Sequence, residues 1–167
     1  LEDLKKEFLE ISALTTATTK QTRLERFQNK LAGLTFLDPA CGSGNFLTET
    51  YLSLRRLENQ TIAEMIAASR EKGKAQVGGQ IMMGGARSID VKVSISQFYG
   101  IEINDFAVTV AKTALWIAES QMLKETEEIV LMHLDFLPLK TNAYIVEGNA
   151  LRMDWASIVP KTKLSYI

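Results

Sequence analysis

Residues Thr35–Leu47 read TFLDPACGSGNFL: an acid and a proline, then two glycines two positions apart, ahead of an apolar-periodic run. Gly42 and Gly44 lack a Cβ, so the backbone there can bend sharply and a ligand can approach it closely. At the end of a parallel strand, such a turn lies in the crevice where open α/β sheets hold ligands. A phosphate-binding P-loop would require Lys and Ser/Thr after the second glycine, but Asn45 and Phe46 stand there. A dinucleotide fingerprint would need a third glycine where the chain has Leu47. Neither reading explains Asp38, because an acid beside a pyrophosphate is electrostatically unfavourable. An acid suits a cation, and S-adenosyl-L-methionine carries both an ammonium and a sulfonium.

Two later segments supply complementary groups. In YGIEI, Glu102 falls at a strand end, where a carboxylate can accept hydrogen bonds from both ribose hydroxyls, and Ile103 offers an apolar face for adenine. In EGNAL, the Asn149 amide can bond an adenine edge. Asp38, Pro39, Ala40, Gly42, Gly44, Asn45, Glu102, Ile103, Asn149 and Ala150 form the candidate cofactor set. Taken singly, each has a plainer explanation: Glu102 as a solvated strand-end acid, Asn149 as a turn residue. The case rests on three successive strand ends each carrying a polar anchor. Cys41 has no histidine near it in sequence and reads as a small turn residue rather than a nucleophile. Trp116 lies in an apolar helix stripe and reads as core, and His133 as a surface or half-buried histidine.

The elements that must position these groups alternate between helix and strand. Apolar residues at Leu1, Leu4, Phe8, Ile11 and Leu14 predict an amphipathic helix, and a Thr-rich connection follows. A second helix is expected from about Gln21 to Leu31, stopped by Gly33. LTFLD predicts the first strand, and a long helix runs from Asn45 with a break expected near Asn59. The stretch from Lys72 to Asp90 carries two Gly-Gly pairs and reads as a mobile surface loop inserted beside the sheet. SQFYGIEI predicts a second strand, and NDFAVTVAKTALWIAESQML a helix capped by Asn104 or Asp105. AYIVEGNAL predicts a third strand and KLSYI a fourth, one apolar enough to belong inside the sheet. This alternation predicts an α/β domain, an incomplete parallel sheet with helices on both faces. The expected division is a helical lead-in over residues 1–33 and a cofactor-binding unit over 34–167.

Composition narrows the function classes. The chain has 167 residues, 46% hydrophobic and 23% charged, with a formal net charge of −1. Nothing there resembles the basic footprint of a nucleic-acid-binding surface. One cysteine excludes an internal disulfide, and one histidine excludes a His-rich metal site, so no metal is expected. No apolar run approaches the about 20 residues of a membrane span, and a reducing cytoplasm is the expected setting.

FLDPACGSGNFL resembles the first motif of adenine-N6 DNA methyltransferases, whose usual form is Asp-Pro-Ala-x-Gly-x-Gly. Cytosine-C5 enzymes typically have Phe at the position of Ala40. QFYGIEINDFAVTVAKTALWIAESQM and LPLKTNAYIVEGNALRMDW resemble the next segments of the MmeI-like branch of single-chain type II restriction-modification enzymes. The resemblance runs from about Leu31 to Ile167. It implies a Rossmann-like class I S-adenosylmethionine-dependent methyltransferase fold. Asp38, Ala40, Gly42 and Gly44 would then line the methionine part, Glu102 would hold the ribose, and Ile103 and Asn149 would flank adenine. Many relatives have Asp where this chain has Asn149.

The resemblance further implies a flipped target adenine in double-stranded DNA, bound through regions outside these residues. Methyl would pass directly to the exocyclic amine without a general base or metal. In this family the strand equivalent to KLSYI leads into the catalytic Asn-Pro-Pro-Tyr/Phe, and the chain is expected to be a piece ending before it. Such a piece should bind cofactor weakly and should not methylate. Methylation of RNA or of protein glutamine, or a cofactor-sensing regulatory role, are the alternatives left open.

Overall fold

Phe36 and Leu37 are buried on opposite faces of a parallel sheet, and with Asp38 they make up β1 (Phe36–Asp38). β2 (Phe98–Glu102) and β3 (Tyr144–Glu147) follow in the order β1-β2-β3, each pair parallel. The register sets Phe36 opposite Phe98, Tyr99 opposite Tyr144, and Glu102 opposite Glu147. The computed structural model describes residues 1–71, 90–131 and 142–167. The Gly-rich stretch through residue 89 and His133 lie outside the described residues.

The expected fourth strand is a single parallel bridge, Phe36 to Tyr166, on the free side of β1. Leu37 N–H donates to the Tyr166 carbonyl at 3.0 Å, and Ser165 and Tyr166 N–H both donate to the Thr35 carbonyl. Before this pairing, a turn at Pro160–Lys163 is closed by Lys163 N–H on the Pro160 carbonyl at 2.9 Å. Tyr166 is 49% exposed and stacks by one face on Phe36. Strand order still reverses at β1, which therefore sits at a topological switch point.

The helices are α1 (Glu2–Ser12), α2 (Ala17–Ala32), α3 (Asn45–Glu71) and α4 (Asp105–Val130). Their apolar stripes, including Leu4 and Phe8, Leu24 and Leu31, Leu47 and Leu54, and Ala111 and Leu115, join the sheet face bearing Phe36, Phe98 and Ile145 in one core. Right-handed crossovers that step the same way, β1 to β2 to β3, place their helices on one side. The opposite face, with Leu37, Tyr99, Ile101 and Val146, is covered by a 3-10 turn at Trp155–Ser157 and by Ile158, Val159 and Leu164. An aromatic row strengthens the helical side: Phe36 stacks on Phe98 at 5.1 Å and on Tyr166 at 5.2 Å, with Tyr51 edge-on to Phe98.

Three boundaries differ from the sequence reading. α2 begins at Ala17 because Thr16 is extended and starts the helix, so most of the Thr-rich connection is helical. α4 continues to Val130, burying Thr126 and Val130. α3 runs unbroken through Asn59, whose side chain is 3% exposed and accepts from Thr126 Oγ1 at 2.7 Å. Asn59 sits inside the helix because its side chain has a partner on α4, so it does not compete for its own backbone.

α4 ends at Leu131, which adopts the left-handed conformation (φ 54°) with a 73% exposed side chain. Glycine takes that conformation without the Cβ clash. Leu131→Gly is expected to stabilise the fold by about 0.5–1 kcal/mol, read as a rise in thermal midpoint. A fall in the midpoint would show that the Leu131 side chain contributes more than the conformation costs.

Candidate functional site

β1, β2 and β3 end on the same side of the sheet, and each hands the chain to a turn. After β1, Asp38 Oδ1 accepts from Ala40 N–H at 3.0 Å, so the acid shapes its own turn. Cys41 N–H reaches across to the Ile101 carbonyl at 3.1 Å, which docks the turn on β2. Gly42 and Gly44 both have positive φ, 53° and 78°, a conformation that favours glycine. Their surroundings differ. A Cβ on Gly42 would meet nothing within 4 Å, whereas one on Gly44 would lie 2.8 Å from Ala111 Cβ. Gly42 faces open space a ligand could use, and Gly44 is the point where the turn packs on α4. Asn45 is the first residue of α3.

Glu102 ties the turns together. Oε2 accepts from Gly42 N–H at 2.9 Å and Oε1 from Asn104 N–H at 3.0 Å. The Asn104 amide, then the Gly42 amide, hold the Glu102 carboxyl below its usual pKa, which favours the charged form. Each carboxylate oxygen keeps a lone pair for a further donor. Asn104 itself caps α4, its Oδ1 accepting from Ala107 N–H at 3.2 Å. After β3, Gly148 N–H donates to the Glu102 carbonyl at 2.8 Å, and Asn149 Oδ1 accepts from Leu151 N–H at 3.0 Å.

An open cleft of about 390 Å³ lies at these strand ends. Of the residues singled out in the sequence, Pro39, Ala40, Glu102, Ile103, Asn149 and Ala150 line it. Asp38, Gly42, Gly44 and Asn45 build the adjoining turn and helix start without lining this cleft. Sequence reasoning missed Ile101, Gly148, Leu151 and Trp155, which also line it. Trp155 had one available signal, the Asp154 beside it, which caps the 3-10 turn through Ala156 N–H at 3.0 Å.

Cys41 is 6% exposed, and its Sγ would sit 2.8 Å from a Cβ on Gly100. Burial, with the Asp38 and Glu102 carboxylates nearby, pushes its thiol up to about 11, so it is a packing residue and no nucleophile near neutrality. Trp116 packs against the main core, as expected. Among the described residues no three His, Cys, Asp or Glu side chains group as a metal site, and no described helix is long and apolar enough to cross a membrane.

A parallel sheet that reverses at β1, a glycine turn behind an acid, and an acid at the end of β2 define a Rossmann-like α/β domain of the methyltransferase class. A family model described as the MmeI DNA-methyltransferase domain matches residues 14–167, and the chain belongs to that family. DNA methyltransferase A of Bacillus subtilis (strain 168) is 41% identical over 140 residues, which is 83% of this chain and 14% of that protein. The solved structure of the Type IIL restriction-modification enzyme MmeI in complex with DNA matches with a TM-score of 0.77 at 31% identity. That match covers 98% of this chain and 19% of that one, so the chain spans only a small part of the length of either relative.

Proposed function

We propose that the cleft holds the adenosyl part of S-adenosyl-L-methionine, and that the chain is the methyl-donor half of an adenine-N6 DNA methyltransferase in a restriction-modification enzyme. The observation that carries this reading is the convergence of three consecutive strand ends, with Glu102 and Asn149 lining one cleft and Asp38 in the adjoining turn. The residues fit the cofactor. Gly42 leaves an open cradle that a side chain would fill, and Glu102 is an ionised acceptor held by two backbone amides. Ile103 and Trp155 give the cleft apolar surface for a base.

When bound, the cofactor supplies an activated methyl group on a sulfonium. Asp38 would favour the cationic methionine end, Glu102 the ribose hydroxyls, and Asn149 the adenine edge. Holding the donor in a fixed pose is this domain's share of the rate, since alignment of reactants lowers the barrier without proton transfer. Adenine in double-stranded DNA, flipped from its stack, is the acceptor indicated by Asp-Pro-Ala-x-Gly-x-Gly. DNA itself would be bound through other regions, in keeping with a formal net charge of −1 here. A cytoplasmic setting follows from that substrate.

The test is calorimetric titration of the full chain with S-adenosylmethionine and S-adenosylhomocysteine, with NADH and ATP as controls. Asp38→Ala and Glu102→Ala are each expected to weaken binding by about tenfold to a hundredfold, the effect of losing a hydrogen bond to a charged group. A folded protein that carries the flanking regions as well and still ignores both adenosyl ligands would refute the reading.

A further inference from the structure

We propose that Trp155 is a positioning residue that sets the selectivity of the cleft for an adenine base, an inference resting on the adenosyl reading above. Trp155 lines the cleft beside Asn149 and Ala150, and its indole Nε1–H donates to the Ala150 carbonyl at 2.8 Å. An indole has one donor and no acceptor. With that donor committed to the protein, the ring can offer a ligand only apolar aromatic surface.

The bond matters because of what Ala150 adjoins. Asn149 Oδ1 accepts from Leu151 N–H at 3.0 Å, and the Asn149 carbonyl accepts from Arg152 N–H at 2.8 Å. The first of these bonds fixes which end of the carboxamide is oxygen. Oδ1 retains one lone pair and Nδ2 two hydrogens, the donor–acceptor pair that matches an adenine edge in two hydrogen bonds. Hypoxanthine, with an oxygen in place of the amine, would set acceptor against acceptor. The match requires the 148–152 turn to stay in this conformation, and Trp155 holds its middle carbonyl.

Trp155 is itself firmly seated. Its carbonyl accepts from Ile158 and Val159 N–H at 3.0 Å, and it packs against the cluster containing Leu37, Ile101 and Val159. Gly148 at the head of the turn leaves room for Met153, whose Sδ would lie 2.0 Å from a Cβ there. The turn is thus pinned at its start by β2, at its middle by the indole, and at its end by its own backbone.

The experiment compares binding of S-adenosylhomocysteine and its inosine counterpart to the full chain, for wild type and Trp155→Phe. Phenylalanine keeps a ring but removes the donor. Wild type is expected to favour the adenine ligand by on the order of tenfold or more. Trp155→Phe is expected to lose about tenfold in affinity for the adenine ligand and with it most of the discrimination, with the inosine ligand little changed. Equal losses for both ligands, or retained discrimination, would overturn the proposal while leaving the cofactor reading intact. Absence of adenosyl binding by a wild-type protein that also carries the flanking regions would overturn both.

If the variant fails to fold, wild type alone decides. Its two tryptophans give two indole N–H resonances. The Trp155 resonance should shift on saturation with S-adenosylhomocysteine and become more protected from exchange. An unchanged Trp155 signal in a protein that binds the ligand would refute the proposal.

Discussion

Replacing Glu58 by alanine is expected to destabilise the fold by about 3–5 kcal/mol, the range for removing one partner of a buried ion pair. Glu58 and Arg55 form such a pair on α3, with side chains 0% and 1% exposed. Arg55 also donates to Thr126 Oγ1 on α4 at 2.7 Å. Glu58 in addition accepts from Gln28 Nε2 on α2 at 2.9 Å and from Lys92 N–H at 2.7 Å, and Val93 N–H reaches its other oxygen at 3.2 Å. One carboxylate therefore joins two helices to the segment that leads into β2.

Buried ion pairs are often replaced by apolar residues without loss, and that comparison separates two accounts of Glu58. If the pair were its whole role, Arg55→Met with Glu58→Leu would be near neutral. Here the double change also strands the Lys92 and Val93 amides, while Gln28 Nε2 keeps the Asp90 carbonyl at 2.8 Å. Each buried donor left unpaired costs about 1–3 kcal/mol, so the double variant should remain destabilised by at least about 2 kcal/mol. Denaturant unfolding measures both. A double variant as stable as wild type would show that Glu58 does not anchor the 90–93 segment.

Gly44→Ala is the second large effect, expected at about 2–5 kcal/mol. A left-handed L residue costs about 1–2 kcal/mol, and overpacking adds about 1–3 kcal/mol. The added Cβ would lie 2.8 Å from Ala111 Cβ and 3.1 Å from Ala111 Cα, and the second atom is backbone that cannot swing aside. Gly42→Ala shares the conformational strain (φ 53°) but has nothing within 4 Å, so it should cost only the strain, about 1–2 kcal/mol. Pairing Gly44→Ala with Ala111→Gly removes the nearer contact. Ala111→Gly alone weakens α4 by about 1 kcal/mol, so the relevant quantity is the coupling in the double-mutant cycle, expected to be favourable by about 1 kcal/mol or more. Additive effects, or Gly42→Ala as damaging as Gly44→Ala, would show that contact with Ala111 is not what Gly44 secures.

The strands, the long helices, and the order in which acid, glycines, Glu102 and Asn149 meet the ends of the sheet were legible in the residues themselves. These are local matters: apolar runs bounded by turn chemistry, and helix starts marked by residues such as Asn104, whose cap is present at 3.2 Å. The break expected at Asn59 was a local rule overridden from a distance, because its partner Thr126 lies on another helix. The Arg55–Glu58 network escaped notice for the same reason, since on α3 alone these charges look like a solvated face. Asp154 marks a capped turn at Trp155, but the indole's place at the cleft was not local, because the bond that seats it closes a turn whose shape depends on β2 and β3.

The sequence by itself determined the type of fold, the chemistry of the turn and the family resemblance. Those depend on residue identity and on spacing along the chain, which are present before anything folds. Only the tertiary structure decided that Gly42 faces open space while Gly44 is packed against α4, and that buried charges join the helices. It also decided that an indole holds the turn after β3, at the rim of the cleft. The first two depend on atoms that meet across long separations in sequence, and the third on a short-range bond whose turn is docked on β2 through Gly148, so local pattern carries little information and burial decides what every polar group must find as its partner.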